Sequence, residues 1–262
     1  MGHLMRGWRL GLALAALAAP AAAESWRPIF NGRDLSGWVP KVNHHPLGEN
    51  WRDTFRVADG VLKVSYDKYD VFKDEFAHLI YRTPLANYRL RLEYRFIGPQ
   101  TPGAPAWAVR NSGVMLHGQA PETMALDQSF PISVEAQFLG GGPGETRPTG
   151  AVCTPGVTIV VDGVRRTEHC LSSRAKTYPE GEWVRFEAEV RGGRVIRHIV
   201  NGETVMTYTD VRFAPAEYAG LHAAGPSQAV PLERGYVSLQ GEGHPVEFRN
   251  IEVLALPEPP GR

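Results

Sequence analysis

Apolar and polar residues alternate in short runs along most of this chain, and the runs end at Gly, Pro, Asn or Asp. A period of two puts successive side chains on opposite faces, so the pattern predicts half-buried β-strands. Arg89–Phe96 (RLRLEYRF) is the cleanest case. Leu90, Leu92, Tyr94 and Phe96 share one face, and Arg89, Arg91, Glu93 and Arg95 the other. Further strands are expected at Gly113–His117, Ile132–Leu139, Val157–Val161, Trp183–Val190, Val195–Val200, Tyr236–Leu239 and Val246–Leu254. Gly192-Gly193 and Asn201-Gly202 read as hairpin turns, because these residues tolerate positive φ. No helix-period segment of convincing length interrupts the series. The expected fold class is therefore all-β, an antiparallel sandwich or jelly roll. No linker, repeat or charge block divides residues 24–256, which are expected to form one domain, with 257–262 (PEPPGR) a flexible tail. The loops Pro99–Trp107 and Gly140–Thr149 exceed what a bare sandwich needs, and long Gly/Pro loops on a β scaffold often carry binding functions.

The N-terminus departs from the pattern. Arg6 and Arg9 precede an uncharged apolar run from Leu10 to Ala23, and Ala21 and Ala23 form an A-x-A site. This reads as a secretory signal peptide over residues 1–23, cut before Glu24, and is too short for a stable membrane span. The expected location is secreted or periplasmic, with no membrane attachment after cleavage. An oxidising compartment would let Cys153 and Cys170, the only two cysteines, pair across a hairpin that turns at Asp162-Gly163. The alternative is two reduced thiols. The whole chain balances 28 Lys+Arg against 28 Asp+Glu. Without Arg6 and Arg9 the mature charge is −2, so no basic footprint for nucleic acid exists.

The polar faces carry the candidate chemistry. Glu93 and Arg95 lie two apart on one strand, and Glu135 and Gln137 on another, so each pair addresses one face of its sheet. His117 ends NSGVMLH on the side of Met115, and Gln240 follows YVSL. His78 lies in EFAHLIYR, and His169 beside Cys170. No H-x-H, HExxH or regular His/Cys quartet marks a zinc site. Asp67, Asp70, Asp74 and Glu75 lack the Gly and distal Glu of an EF-hand. No G-x-S-x-G elbow, P-loop or dinucleotide fingerprint is present.

Several phrases in order resemble the 3-keto-disaccharide hydrolase domain family. They are FNGRDLSGW at 30–38, DGVL at 59–62, YRLRLEYRF with Glu93 and Arg95, NSGV at 111–114, VEAQF at 134–138, Gly181-Glu182-Trp183, Asn201-Gly202, GYVSLQ and EFRNIEV. The resemblance spans roughly residues 28–254. It implies a concanavalin-like jelly-roll sandwich of two antiparallel sheets, exported from a bacterium and acting on sugars oxidised at C3. One departure is His117, where the more familiar members carry an Arg shortly after NSG. The long stretch Arg110–Pro131, the Cys153/Cys170 loop and the pair His44-His45 also suggest a distinct subgroup.

Such a substrate sets the chemistry. A ketone at C3 acidifies the C2 proton, and its removal gives an enolate that expels the C1 substituent. This needs a base, an electrophile for the enolate oxygen and an acid for the leaving group. The expected catalytic residues are Glu135, His117 and Arg95, with Glu135 or His117 as base and Arg95 facing the enolate. Glu93, His78, Asn111, Gln137, His169, Gln240 and Trp107 are expected to bind substrate. No cofactor is certain, although a divalent cation could replace Arg95 as the electrophile. The expected partner is a small carbohydrate, with oligomeric state open. The alternative is a carbohydrate-binding module without turnover, for which Trp51, Trp107 and Trp183 are possible platforms. A third possibility is a structural or cell-surface interaction domain.

Overall fold

The protein is described by a computed structural model covering Gly2, residues 25–214 and residues 228–258. Residues 1–23 of the expected signal peptide, Gly2 excepted, and residues 259–262 of the expected tail lie outside the described residues. Within them the chain forms β1 (Arg27–Pro28), β2 (Trp38–Val42), β3 (Phe55–Ala58), β4 (Val61–Val64), β5 (Ala77–Tyr81) and β6 (Asn87–Phe96). It continues through β7 (Asn111–Gly118), β8 (Val134–Gly141), β9 (Ala151–Cys153), β10 (Val157–Val161), β11 (Val164–Arg166) and β12 (Cys170–Leu171). The rest are β13 (Tyr178–Pro179), β14 (Val184–Arg191), β15 (Val195–Val200), β16 (Glu203–Phe213), β17 (Tyr236–Gly241) and β18 (Val246–Ala255). The helical segments among the described residues are single 3-10 turns at Trp51–Asp53, Ala106–Ala108 and Pro121–Thr123.

Two sheets result. One runs β11-β10-β16-β15-β14-β6-β18-β4-β3, with β1 on β18. The other runs β12-β9-β8-β7-β17-β5-β2, with the short β13 parallel to β8. Their apolar faces meet. On β6 burial alternates without a break, and Tyr94 stacks on Phe138 of the opposite sheet at 4.1 Å. Val114, Leu116, Ala136 and Leu239 from the second sheet join the same core. Burying these apolar faces is the main driving term for the sandwich.

Local chemistry fixes the turns. Asp162-Gly163 and Asn201-Gly202 all have positive φ, as a two-residue hairpin requires. The FNGRDLSGW phrase folds back on itself. Asn31 Oδ1 accepts the N–H groups of Arg33 and Asp34 at 2.8 and 3.0 Å. Asp34 Oδ1 accepts that of Ser36 at 2.9 Å, and Trp38 Nε1 donates to Ile29 O at 2.8 Å. That phrase is architectural.

Cys153 and Cys170 are bonded, joining β9 to β12. Between them the chain leaves for the β10–β11 hairpin of the other sheet and returns. The bond therefore closes the base of this excursion. The expected strands Val157–Val161 and Val195–Val200 coincide with β10 and β15. Among the strands that the pattern missed are β2, β5 and β16. Strands β2 and β5 are buried on both faces, which erases alternation, and a register shift breaks the β16 period.

Candidate functional site

The site lies on the outer face of the eight-stranded sheet. Cross-strand pairing sets Ile80, Ser238, Met115, Glu135 and Cys153 in one row. A neighbouring row carries Lys41, His78 and Gln240 on one half and Gly113, Gln137 and Ala151 on the other. A cavity of about 230 Å³ opens over these strands. Asn111, Glu135, Gln137 and Glu242 form its polar lining. Phe130 and Trp107 wall the β5 side, and Pro155, His169 and the disulfide wall the β9 side.

Each wall has a cause. Trp107 is 53% exposed and stacks on Phe76 at 5.8 Å with a 9° interplanar angle, while Phe130 packs on the same ring at 4.9 Å. Phe130 is carried by segment 119–131, which crosses the sheet and is fastened from below. Lys41 Nζ donates to Leu126 O at 2.9 Å, Asn43 Nδ2 to Ser129 Oγ at 3.1 Å, and His78 Nε2 bonds Ser129 O at 3.0 Å. Met124 packs on Val39 and Ile80. The glycine of the NSG phrase has a direct role. A Cβ on Gly113 would stand 2.6 Å from Glu135 Oε1 and 2.9 Å from its Cγ. Only glycine leaves room for that carboxyl to lie across β7.

The floor is electrostatically strained. Burial pushes the Glu135 carboxyl up to about 8. Burial, and then the charge of Glu135, push Glu242 well above its ordinary value. Two carboxyls in one dry pocket resist ionising together, so at neutral pH the pair retains a proton. Glu135 Oε1, Glu242 Oε2, Asn111 Oδ1 and both amide atoms of Gln240 find no hydrogen-bond partner among the described residues. Such groups are costly to bury unless a polar ligand or water meets them. Among the described residues no set of three or more His, Cys, Asp or Glu converges as a metal site. The pocket's own acidic residues are Glu135 and Glu242.

The structure brings together Glu135, Asn111, Gln137, His169 and Trp107 of the expected residues. Gln240 is fully buried in the same face beside them. His78 shares the face but stands behind Phe130, its Nε2 occupied by Ser129 O, so it touches the pocket wall rather than the pocket.

Three expected residues are elsewhere. Arg95 and Glu93 sit on the outer face of the other sheet. Arg95 pairs with the nearly buried Glu247 at 2.7 Å, and Glu93 with Arg249 at 2.7 Å. Both guanidinium groups lie over Trp183, at 4.5 and 3.9 Å. Strand parity was right, but parity does not say which sheet a strand joins, and the core separates the two outer faces. His117 is corrected for a different reason. It has φ of +53°, next to a register shift between β7 and β17, so its ring leaves the side of Met115. Its Nε2 bonds Gly192 O at 3.0 Å, and it lines a separate cavity of about 450 Å³. Burial lowers its pKa.

Sequence reasoning missed Glu242 and Phe130. Glu242 falls in a turn just past β17, yet it follows Gln240 by two residues, and that spacing was the available signal.

With this geometry in hand, comparison with known proteins gives a consistent picture. A model of the 3-keto-alpha-glucoside-1,2-lyase-like domain matches residues 25–254. A crystal structure of a candidate glycosyl hydrolase from Parabacteroides distasonis ATCC 8503 superposes with a TM-score of 0.54 at 19% identity, covering 90% of this chain and 96% of that one. A galectin-like protein of unknown function from Bacillus subtilis superposes with a TM-score of 0.51 at 10% identity, covering 88% of this chain and 94% of that one. No curated protein matches the sequence significantly. At these identities the structural likeness establishes the fold, a concanavalin-like sandwich. The family match covers nearly the whole sandwich, and the chain belongs to the 3-keto-alpha-glucoside-1,2-lyase-like domain family.

Proposed function

We propose that this pocket cleaves glycosides whose sugar ring is oxidised at C3, by removing the C2 proton. The observation that carries the reading is the buried pair Glu135 and Glu242, both with raised pKa values. One carboxylate takes the proton from C2. The other keeps its proton and donates it as a hydrogen bond to the C3 oxygen, where negative charge develops. A buried, protonated carboxyl is a strong donor because it brings no charge of its own to oppose the enolate. The amides of Asn111, Gln137 and Gln240 supply further donors and acceptors for ring hydroxyls. The enolate then reforms the ketone, and its electron pair forms C1=C2 as the C1–O bond breaks. The exposed Trp107 ring offers a face against which a sugar can stack. Residues 1–23 and the Cys153–Cys170 bond support work outside the cytoplasm.

Paired carboxyls also serve ordinary glycosidases, which need no ketone. The deciding experiment incubates the protein with a 3-keto-glucoside bearing a chromogenic leaving group and with its unoxidised parent, each with and without EDTA. Release from the keto compound alone is expected. Release from both would replace the proposal with direct hydrolysis, and loss in EDTA would add a divalent cation to it. One observation, the exposed Trp107 platform, favours a binding module without turnover. Glycan binding with no release from either compound would establish that reading instead.

A further inference from the structure

We propose that His169 is the proton donor to the departing C1 oxygen, and that the Cys153–Cys170 disulfide is the mount that holds it in place. This rests on the reading of the pocket given above. With Glu135 and Glu242 engaged at C2 and at the C3 oxygen, the bond at C1 still needs an acid. C1 is bonded to C2, and its substituent must leave through the open side of the cavity. Among the residues lining the pocket, those with a titratable side chain are Glu135, Glu242 and His169. His169 is exposed, as an acid on the leaving-group side must be. Imidazole can carry a proton on each ring nitrogen and give one up as a general acid.

The position of His169 is built rather than incidental. β12 is two residues long and among the described residues pairs with β9 alone, so backbone bonds hold it weakly. Cys170 is bonded to Cys153, and Cys153 is the direct cross-strand partner of Glu135. On its other side the His169 carbonyl accepts the Thr154 N–H at 2.9 Å and the Thr154 hydroxyl at 3.2 Å. Both anchors belong to the strand, or the residue just after it, that flanks Glu135. The disulfide thus ties the imidazole to the same sheet register as Glu135.

The step balances. The C2–H proton goes to a glutamate carboxylate, and its electron pair becomes C1=C2. The C1–O bond breaks, and its oxygen takes the ring N–H proton of His169. The products are a 1,2-unsaturated 3-keto sugar and an alcohol. Solvent then reprotonates the histidine and takes the proton from the glutamic acid.

The test uses the full chain with two 3-keto-glucosides, one losing 4-nitrophenol and one losing methanol. A nitrophenolate departs without help, whereas methoxide needs a proton. His169→Gln is expected to slow the methyl glycoside at least tenfold and the nitrophenyl glycoside less than threefold. The double variant Cys153→Ala/Cys170→Ala keeps the histidine but loses its mount, and is expected to show the same asymmetry to a smaller degree. Faster hydrogen exchange at the Thr154 amide, with the β8 amides still protected, would show that the mount and not the sheet has been lost. A His169→Gln variant that slows both substrates equally, or neither, overturns the proposal while leaving the pocket's function intact. A wild-type protein silent on both substrates overturns the function on which it rests.

Discussion

Glu135 and Glu242 share a floor where polar atoms outnumber their partners, and the consequences are measurable one residue at a time. Glu135→Gln preserves shape and removes both the proton acceptor and the charge. Loss of a general base typically costs 10²–10⁴-fold, and a fall of about that size in turnover of a 3-keto-glucoside is expected, read by leaving-group release. Stability has its own signature. The Glu135 carboxyl ionises near 4.5 ordinarily and near 8 in the fold, so the folded state binds the proton more tightly. Its contribution is complete below about 4.5 and is lost as pH rises toward about 8. Thermal melts across this window should therefore show the wild type losing more Tm than Glu135→Gln. Equal losses would mean the carboxyl is not buried as described. Much of this floor was legible in the sequence, because E-x-Q on an alternating strand fixes Glu135 and Gln137 on one face. Glu242 was not, since a turn residue has no period to betray it. His117 was misplaced because a bulge reverses parity locally, and no sequence pattern announced the bulge.

Elements carry two further expectations. On β7, Gly113→Ala should leave the sheet folded yet displace Glu135, since backbone and carboxyl both stand within 3.0 Å of the new methyl. The expected result is lost turnover with a small change in Tm, and retained turnover would show that Glu135 does not need that path. On β6, Arg95→Ala should do the reverse. It strips a guanidinium from Glu247, which is 4% exposed and among the described residues would keep the ion pair with Lys63 at 3.3 Å. Leaving a buried acceptor short of a partner costs about 1–3 kcal/mol, so Tm should fall while turnover stays constant. Turnover that falls with it would return Arg95 to the site. Strands β6 and β8 show what alternation can and cannot say. It identified both with their polar faces, but the face of β6 is an ion-paired exterior and that of β8 is a pocket floor. The difference lies in sheet order, which depends on pairings between residues far apart in the chain. The stretch Arg110–Pro131 was visible as an extra length, whereas the fastening of its 119–131 part to Lys41 and His78 required the folded sheet.

At the scale of the molecule, one outer face of the sandwich is ion-paired and the other bears the walled pocket to which we assign the sugar chemistry. The family points to carbohydrate, and the choice between elimination and hydrolysis turns on the C2 hydrogen. The most direct measurement is to let the protein cleave a 3-keto-glucoside in D₂O, return the product to H₂O to wash out hydroxyl deuterium, and record the occupancy of C2 by mass spectrometry and NMR. Removal of the C2 proton by the Glu135/Glu242 pair predicts a product that either lacks a hydrogen at C2 or carries deuterium there, beyond the exchange seen without protein. A product that keeps its original protium at C2 would contradict the elimination and leave direct hydrolysis at C1.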